Sequence, residues 1–345
     1  MSLVSVHNEW DPLEEIIIGT TRGARIARPD VGLYALEFDD LPSKDDIPSG
    51  PLPDKVIEET EEELSVLCEE LTRLGVVVRR PEPRDHSAVI STPDWQSDGY
   101  YDYCPRDCLL AVGSTIIESP MVLRCRFLES FAYRQLLLEY FDSGATWISA
   151  PKPELRDGMY HPELPEYSRL ADLEPAFDAA NVLRLGTDLL YQVSDSGNER
   201  GLRWLQSVMG DKYRVHGCRN VYASTHFDST VIPLQPGLVL LNPERVNDEN
   251  MPEPLRQWEH IWCPDLVDIG WTDRPNASIW IGMNLLVIRP GLVVAEARQT
   301  DLIRLLERHG IDVIPLSLTH ARTLGGGFHC ASLDVRRTGE LATYS

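Results

Sequence analysis

Short apolar runs alternate along the chain with turns that contain glycine or Pro-Gly, and this pattern recurs about five times. Each occurrence opens with a polar residue, continues through a partly β-branched apolar run, turns, and returns through a second apolar run. Runs of this kind on either side of a glycine-containing turn are typical of β-hairpins. The occurrences cover residues 107–117, 178–191, 228–241, 284–294 and 330–339, and residues 15–19 are expected to pair with the last of them.

Amphipathic helices are predicted after most of these hairpins. Residues 300–309 place leucine and isoleucine at helical spacing. Gly310 stands where a helix is expected to end, and the apolar residues 311–314 then predict a strand. The same order of helix, glycine and strand recurs over residues 54–78 and 201–215. The repeating unit is therefore strand–strand–helix–strand, present about five times.

The predicted fold class is α/β, with these units arranged around an axis as a five-bladed α/β propeller. Units placed around an axis bury their faces on one another, as propeller blades do. The polar residues that open the inner strands would then meet in one central cavity, which would gather Asp107, Asp178, Asp228 and Cys330. The alternative is an open α/β sheet, in which these residues would lie along an edge. No linker is evident, so residues 1–345 are expected to form a single domain.

Two segments fit none of the units. Residues 22–53 are rich in proline, glycine and aspartate and predict a long loop, or lid, over one end of the fold. Residues 152–167 form a second proline-rich segment that is also expected to be loop-like.

Composition and charge indicate a soluble, globular protein whose partners are small molecules. Of 345 residues, 43% are hydrophobic and 25% are charged, which is enough for a sizeable core. The formal net charge of −22 disfavours nucleic acids and anionic membranes as partners, whereas it favours cations such as arginine-like molecules. Neither a signal peptide nor an apolar run of membrane-spanning length is visible, so the predicted setting is the cytoplasm.

Seven cysteines are scattered along the chain, as expected for free thiols in a reducing compartment. Cys104 and Cys108 are not followed by a second cysteine or histidine pair at zinc spacing, so no structural metal is predicted. Cys330 follows the glycines Gly325–Gly327 and is itself followed by an apolar run. Two interpretations stay open here. Either the glycines form a tight turn beside a buried structural cysteine, or they let the backbone pass close to a ligand and place Cys330 there as a nucleophile.

Taken as one site, the polar set suits a guanidinium compound. Neighbouring carboxylates raise each other's pKa unless a cation lies between them, and the planar donors of a guanidinium match carboxylates. A cysteine beside the guanidinium would attack its central carbon. His226 stands two residues before Asp228, so both side chains would share one face of a strand. Such a histidine would protonate a leaving amine and later accept a proton from an attacking one.

Each of these residues also has a structural interpretation. Asp107 and Asp178 would serve equally as turn or cap residues, His226 as a hydrogen-bonded core histidine, and Arg245 as a surface arginine. Ser278 carries the weakest signal, because a serine on a strand face is usually structural. A metal site made of His226, Asp228 and His329 is disfavoured, since His329 would point away from Cys330 in an extended segment.

A series of motifs runs in order through nearly the whole chain: residues 8–14 (NEWDPLE), 105–107 (PRD), 124–129 (RCRFLE), 150–153 (APKP), 177–180 (FDAA), 226–228 (HFD), 282–284 (GMN), 324–330 (LGGGFHC) and 334–337 (DVRR). With these motifs the chain resembles the amidinotransferases. It is more similar to the arginine:inosamine-phosphate amidinotransferases of streptomycin-type aminocyclitol biosynthesis than to the glycine amidinotransferases. The resemblance implies the same five-bladed α/β propeller.

The resemblance also implies a role for each site residue. Cys330 would be the nucleophile that holds the amidino group as a covalent thiouronium, and His226, oriented by Asp178, would be the general acid and then the base. Asp107 and Asp228 would clamp the guanidinium. The remaining pair, Arg245 and Ser278, would hold the α-carboxylate of the donor, so Arg245 is interpreted as functional rather than as a surface residue.

The reaction implied is ping-pong transfer of the amidino group from L-arginine to a primary amine, an inosamine phosphate in aminoglycoside antibiotic biosynthesis, with release of L-ornithine. No metal or organic cofactor is expected. The protein is expected to form a homodimer. Transfer to another amine, hydrolysis of arginine as in arginine deiminases, and a non-catalytic propeller that binds or scaffolds are the alternatives. Motifs that flank the shared residues favour transfer.

Overall fold

A computed structural model describes residues 2–344 of the chain, which have an α/β fold. Five three-stranded sheets share one topology, in which an inner strand is antiparallel to a middle strand and an outer strand is parallel to it. In the order inner, middle and outer strand, they are Ser332–Arg337, Leu13–Ile18 and Val77–Arg79 (first sheet); Leu109–Val112, Thr115–Glu118 and Thr146–Ser149 (second); Val182–Leu185, Asp188–Gln192 and Arg214–Cys218 (third); Val231–Gln235, Leu238–Leu241 and Glu259–Trp262 (fourth); Leu286–Arg289, Leu292–Glu296 and Asp312–Leu316 (fifth).

The first sheet joins strands from distant parts of the chain, as predicted. Ile16 lies opposite Asp334, and Ile17 lies opposite Leu333, so the predicted pairing of residues 15–19 with the C-terminal strand is confirmed. Apolar side chains dominate most of the inner and middle strands, because both faces of these strands are covered. The inner strand of the first sheet, Ser332–Arg337, is the exception, since polar and charged side chains outnumber the apolar ones there.

Helices connect the middle and outer strands of four sheets. They are Asp54–Arg73, Arg134–Asp142, Glu199–Met209 and Thr300–Arg308. The helices predicted within residues 54–78, 201–215 and 300–309 are confirmed, and Gly75, Gly210 and Gly310 after them have positive φ angles of 86°, 61° and 75°. In the fourth sheet, the described chain makes this connection with the 3₁₀ turn Glu253–Leu255.

The inner strands begin later than the sequence suggested, because a turn precedes each of them. The second sheet is preceded by the helical turn Pro105–Cys108, the third by the 3₁₀ turn Ala179–Asn181 and the fifth by the 3₁₀ turn Ile279–Met283. Residues 227–230 and 328–330 form turns before the fourth sheet and the first. The predicted polar residues therefore lie on turns, where a side chain is free of the alternation that a strand imposes.

Residues 22–53 are more ordered than a long loop. They contain the helix Val31–Glu37, and the short strands Arg25–Ile26 and Gly50–Pro51 pair with each other. The Asp30 carboxylate caps the helix by accepting hydrogen bonds from the backbone N–H groups of Gly32 and Leu33 at 2.7 and 3.0 Å. This N-cap, together with the buried apolar face of the helix, is why the segment folds. Residues 152–167 are largely irregular, as predicted.

The remaining elements are short. They are the strand pair Ile90–Ser91 and Gln96–Ser97, the helix Ala321–Leu324, and the 3₁₀ turns Lys44–Asp46, Arg124–Arg126, Glu129–Tyr133, Asp157–Met159 and Gly210–Lys212. Among residues 2–344, none of the helices is both long and apolar enough to cross a bilayer.

A buried charge cluster, called here the Asp334 cluster, links the inner strands. It consists of Asp334, Arg106, Arg184, Arg337 and Glu9, all buried. The Asp334 carboxylate accepts hydrogen bonds from Arg106, Arg184 and Arg337 at 2.7, 2.8 and 2.5 Å. Arg184 also donates to both carboxylate oxygens of Glu9, at 2.8 and 2.7 Å. Each buried charge of the cluster therefore has a partner of opposite charge, without which its burial would be unfavourable.

Backbone contacts extend this cluster to further sheets. Arg184, on the inner strand of the third sheet, donates to the Ala111 carbonyl of the second sheet at 3.1 Å. Arg337, on the inner strand of the first sheet, donates to the Val287 carbonyl of the fifth sheet at 2.8 Å. The inner strands of four sheets are consequently held together by the same few guanidinium groups.

Candidate active site

A cavity of about 350 Å³ opens where the turns before the inner strands converge. Cys330, Asp228 and His226 line it, together with Ser278 and, from the helix in residues 22–53, Glu37. The sequence analysis placed the first four of these in one site, and the structure brings them together. Glu37 was not predicted.

The glycines before Cys330 let the backbone pass close to neighbouring side chains. Gly325 ends the helix Ala321–Leu324 with a φ of 80°, a conformation that favours glycine. A Cβ atom on Gly326 would lie 2.7 Å from the Cys104 sulfur. One on Gly327 would lie 2.7 Å from the Asn284 side chain. Close approach at both positions excludes any side chain and places Cys330 at the buried end of the cavity.

The Cys330 sulfur lies between an amide and a carboxylate. The thiol donates to Asp228 Oδ2 at 3.0 Å, and the Asn284 side-chain amide donates to the sulfur at 3.2 Å. Asn284 Oδ1 in turn accepts the backbone N–H groups of His329 and Cys330 at 3.0 and 3.1 Å. A single asparagine therefore fixes both the turn that carries the cysteine and the position of its sulfur.

Cys330 is held as a neutral thiol in this environment. Burial raises its pKa well above the ordinary value, and the nearby Asp228 carboxylate raises that pKa further. A cation that entered the cavity would act in the opposite direction and favour the thiolate, which is the nucleophilic form.

His226 is paired with Asp178, although not from a strand. His226 has a φ of 65° in the turn before the fourth sheet, so the prediction that it shares a strand face with Asp228 is wrong. The left-handed conformation turns the imidazole towards Asp178, whose Oδ2 lies 3.1 Å from Nε2. Asp178 Oδ1 accepts the Val122 backbone N–H at 3.2 Å, which fixes this carboxylate. Asp178 is at an N-cap position, yet its side chain caps nothing there.

The imidazole of His226 stays protonated at neutral pH. Burial lowers its pKa, but Asp107, Asp178 and Asp228 outweigh burial and raise the pKa from the usual 6.5 to about 9. A protonated imidazole that faces a cavity has the form that a general acid needs.

This raised pKa predicts a pH-dependent stability. A group whose pKa is higher in the folded state stabilises that state fully below the unfolded pKa of 6.5 and loses this contribution as the pH rises through about 9. We expect the difference in melting temperature between the wild-type protein and His226→Asn to shrink from pH 6 to pH 9.5, as measured by differential scanning calorimetry. A difference that is constant across this range would contradict the assignment.

Asp107 presents one unused oxygen at the site. Its Oδ2 accepts from Arg126 at 2.8 Å, and Arg126 is held in turn by Glu129. Its Oδ1 is buried, lies 3.5 Å from His226 Nδ1 and has no hydrogen-bond partner within the described part of the chain. A buried carboxylate oxygen without a donor is costly, so this atom marks a place for a cationic donor from outside the protein.

His329 is part of the site, contrary to the sequence analysis. Residues 328–330 form a turn rather than an extended strand, so His329 and Cys330 both reach Asp228. His329 Nδ1 lies 2.9 Å from Asp228 Oδ2, and Nε2 lies 3.4 Å from Glu9 Oε2. Burial raises the pKa of Asp228, but His329, His226 and the Cys330 thiol outweigh burial and hold the pKa below its usual range.

Arg245 lies behind the cavity wall instead of on it. Its Nη2 donates to Ser278 Oγ at 3.0 Å, and its Nη1 donates to Ser229 Oγ and Thr230 Oγ1 at 3.0 and 2.9 Å. Its guanidinium stacks 3.5 Å from the Tyr222 ring centroid. Arg245 is therefore not a free surface arginine. Ser278 precedes a 3₁₀ turn rather than lying on a strand, and its hydroxyl hydrogen is left for the cavity.

Three residues that shape the site were not predicted to belong to it: Asn284, His329 and Glu37. Asn284 had a signal, since it opens the fourth hairpin of the repeat just as Asp107, Asp178 and Asp228 open theirs. Glu37 had none, because residues 22–53 were expected to be a loop. Burial raises the pKa of Glu37 to about 7.

All seven cysteines are free thiols in the structure. Across residues 2–344, no group of three or more histidine, cysteine, aspartate or glutamate side chains is arranged to hold a metal ion.

Comparison with known proteins gives full-length matches. The chain is 68% identical over 346 residues to inosamine-phosphate amidinotransferase 1 of Streptomyces glaucescens, covering 100% of this chain and 99% of that protein. It is 39% identical to the L-arginine:L-lysine amidinotransferase of Pseudomonas savastanoi pv. phaseolicola, covering 99% and 97%. It is 36% identical to the mitochondrial glycine amidinotransferase of Danio rerio, covering 99% and 84%.

Structural and family comparisons agree with these matches. The solved structure of an inosamine-phosphate amidinotransferase from Streptomyces griseus is 68% identical and superposes with a TM-score of 0.99, covering 100% of this chain and 99% of that one. The family model described as arginine deiminase matches residues 264–337. That stretch contains the fifth sheet, the triple glycine and Cys330.

Proposed function

The chain belongs to the amidinotransferase family, and from this premise we propose that it moves the amidino group of L-arginine to a primary amine and releases L-ornithine. The acceptor is an inosamine phosphate in aminoglycoside biosynthesis, in keeping with the relatives that share 68% of its sequence. The observation that carries this proposal is the Cys330 thiol, 3.0 Å from Asp228 in a cavity whose other wall holds a protonated histidine.

The guanidinium of arginine binds between Asp107 and Asp228. Asp107 Oδ1 is buried and without a donor, and Asp228 is kept anionic by His329, so both carboxylates await a cation. A guanidinium offers planar N–H donors that satisfy carboxylates in a fixed geometry. Its charge also offsets the carboxylates that raise the pKa of Cys330, so donor binding itself favours loss of the thiol proton to solvent and formation of the thiolate.

In the first half-reaction, the Cys330 thiolate attacks the central carbon of the guanidinium. A C–S bond forms, and the bond between that carbon and the δ-nitrogen of ornithine breaks. The leaving nitrogen takes a proton from His226, which the carboxylates keep protonated at neutral pH. The products are ornithine and an amidino group bound to Cys330 as a thiouronium.

In the second half-reaction, the acceptor amine attacks the same carbon, gives a proton to the now neutral His226, and the C–S bond breaks to restore the thiolate. Asp178 holds the imidazole through Nε2 in both steps. These steps use only the side chains of the protein and its two substrates, so the chemistry needs neither a metal nor an organic cofactor.

Arg245 supports binding of the donor through Ser278. Because Arg245 donates to Ser278 Oγ, the serine hydroxyl is oriented to donate to the α-carboxylate of arginine, and the half-buried guanidinium adds a positive field. We expect Arg245→Met to raise KM for arginine about tenfold. KM for agmatine, which lacks the carboxylate, should change little, and Arg289→Met at an exposed site is the control. An equal rise for both donors would contradict this role.

We extend the proposal to the architecture. The five sheets form a five-bladed α/β propeller within a single domain over residues 1–345, with residues 22–53 as its lid. The shared topology of the five sheets and the Asp334 cluster, which links four inner strands, support a closed ring. The resemblance to amidinotransferases supports a homodimer in the cytoplasm. Sedimentation velocity measures the oligomeric state.

Product analysis tests the function. Incubation with arginine alone should release about one equivalent of ornithine per Cys330 and leave a labelled enzyme when the guanidino carbon of arginine carries the label. Addition of inosamine phosphate should then discharge the label onto the amine. Formation of citrulline at full rate without an amine would instead establish hydrolysis, the reaction that the match to arginine deiminase suggests.

A further inference from the structure

Two guanidinium groups lie on the cavity wall itself, unlike that of Arg245. Arg274 and Arg322 both line the cavity. Arg322 is largely occupied, because Nη1 donates to Asp268 at 2.7 Å and Nε donates to the Ala277 carbonyl at 3.1 Å. Nη1 of Arg274, in contrast, is buried and has no hydrogen-bond partner among residues 2–344. A buried donor without an acceptor is unfavourable, so the hydrogen-bonding capacity of this guanidinium is only partly used.

The other end of this guanidinium holds the lid segment. Nη2 of Arg274 forms a close ion pair with Asp40, which follows the helix Val31–Glu37. The neighbouring Asp39 pairs with Arg169 at 2.7 Å on the other side. The side chain of Asp40 is 66% exposed, and exposed ion pairs contribute little to stability. Asp40 therefore occupies Arg274 through a contact that a stronger anion can replace at low cost.

We propose that Arg274 binds the phosphate group of the amine acceptor and that Asp40 occupies this place until the acceptor arrives. The inference rests on the proposed transfer to an inosamine phosphate, and it assigns the residue that recognises the phosphate monoester of that acceptor. A phosphate monoester has close to two negative charges and three acceptor oxygens, so it competes with a single carboxylate for the guanidinium of Arg274.

The arrangement explains how so acidic a protein accepts an anionic substrate. The cavity mouth carries Glu37, Asp39 and Asp40, which repel a phosphate unless a cation stands among them. Arg274 is that cation, and Cys330 lies in the same cavity. The acceptor thus spans from the phosphate at Arg274 to the amine at the amidino carbon on Cys330. Amines without a phosphate leave Asp40 in place and gain nothing from Arg274.

Steady-state kinetics with matched acceptors tests the inference. Arg274→Met should raise KM for inosamine phosphate between about tenfold and a hundredfold, relative to KM for unphosphorylated inosamine and for arginine. Asp40→Asn should lower KM for inosamine phosphate, since it removes the competing anion, and misfolding cannot produce this improvement. Arg304→Met, at an exposed ion pair on a helix and not among the residues that line the cavity, is the control. A parallel rise of all three KM values in Arg274→Met, or no fall in Asp40→Asn, overturns the inference.

Calorimetric titration of the wild-type protein with inorganic phosphate gives a readout that is independent of activity. Phosphate should bind, compete with the amine acceptor rather than with arginine, and bind at least about tenfold more weakly to Arg274→Met. If phosphate binds equally well to both proteins, or not at all, the inference is wrong even where ornithine release supports amidino transfer. Failure of arginine to label the enzyme overturns the proposed function instead, and the phosphate titration identifies which of the two has failed.

Discussion

Cys330→Ser should not release ornithine from arginine, with a loss of at least about 10⁴-fold in the rate of the first half-reaction. A serine hydroxyl at this buried position is a far weaker nucleophile than the thiolate, and it forms no thiouronium. Arginine should still bind, because Asp107 and Asp228 remain to hold the guanidinium. Rapid-quench measurement of ornithine and counting of labelled protein after incubation with guanidino-labelled arginine check the first part, and calorimetric titration with arginine checks the second.

Cys68→Ser is the matched control for this experiment. Cys68 lies half-buried on the helix Asp54–Arg73 and is not among the residues that line the cavity, so it should leave ornithine release unchanged. Label that persists on Cys330→Ser at the wild-type level would assign the nucleophile to another residue. Loss of label from both variants would show that the effect is not specific to Cys330.

Asp334→Ala should lower the free energy of unfolding by about 3–5 kcal/mol. The substitution leaves Arg106, Arg184 and Arg337 buried around the place where their shared carboxylate stood. Three guanidinium groups without this partner repel one another in a region of low dielectric constant, and Glu9 is left to pair with two of them. Urea denaturation followed by circular dichroism measures the change.

Asp301→Ala provides the comparison for Asp334→Ala. Asp301 pairs with Arg304 on a helix surface where both side chains are about 70% exposed, so its removal should change the free energy of unfolding by less than about 0.5 kcal/mol. Equal effects of the two substitutions would mean that the Asp334 cluster adds no more than a surface ion pair. That result would also remove the main support for a closed ring of sheets.

Much of the fold was predictable because buried strands and helices require apolar residues at regular positions in the sequence. Most inner and middle strands are covered on both faces and are rich in apolar residues, and the helices after them show a regular apolar face. The recurring polar residue before each hairpin correctly indicated which residues meet. The same periodicity contained Asn284, which was overlooked as a site residue because its chemistry is not that of an acid or a nucleophile.

The rest depended on contacts that no local pattern encodes. The positive φ of His226 arises in a turn, where packing and the bond to Asp178 decide the backbone conformation. His329 was misplaced for the same reason, since an extended segment was assumed where the chain turns. The ordered helix in residues 22–53 was missed although Asp30 is a favourable N-cap, because proline and glycine dominate the composition around it.

The pairing in the first sheet determines when the active site can form during synthesis of the chain. Its middle strand, Leu13–Ile18, is made before the strands of the other four sheets and pairs with Ser332–Arg337, which is made more than three hundred residues later. Cys330 arrives with that late strand, after every strand of the other four sheets has been made. Closure of so long a loop is slow. A nascent chain of this protein therefore stays catalytically inert until Cys330 has been translated, whatever the concentration of arginine around it.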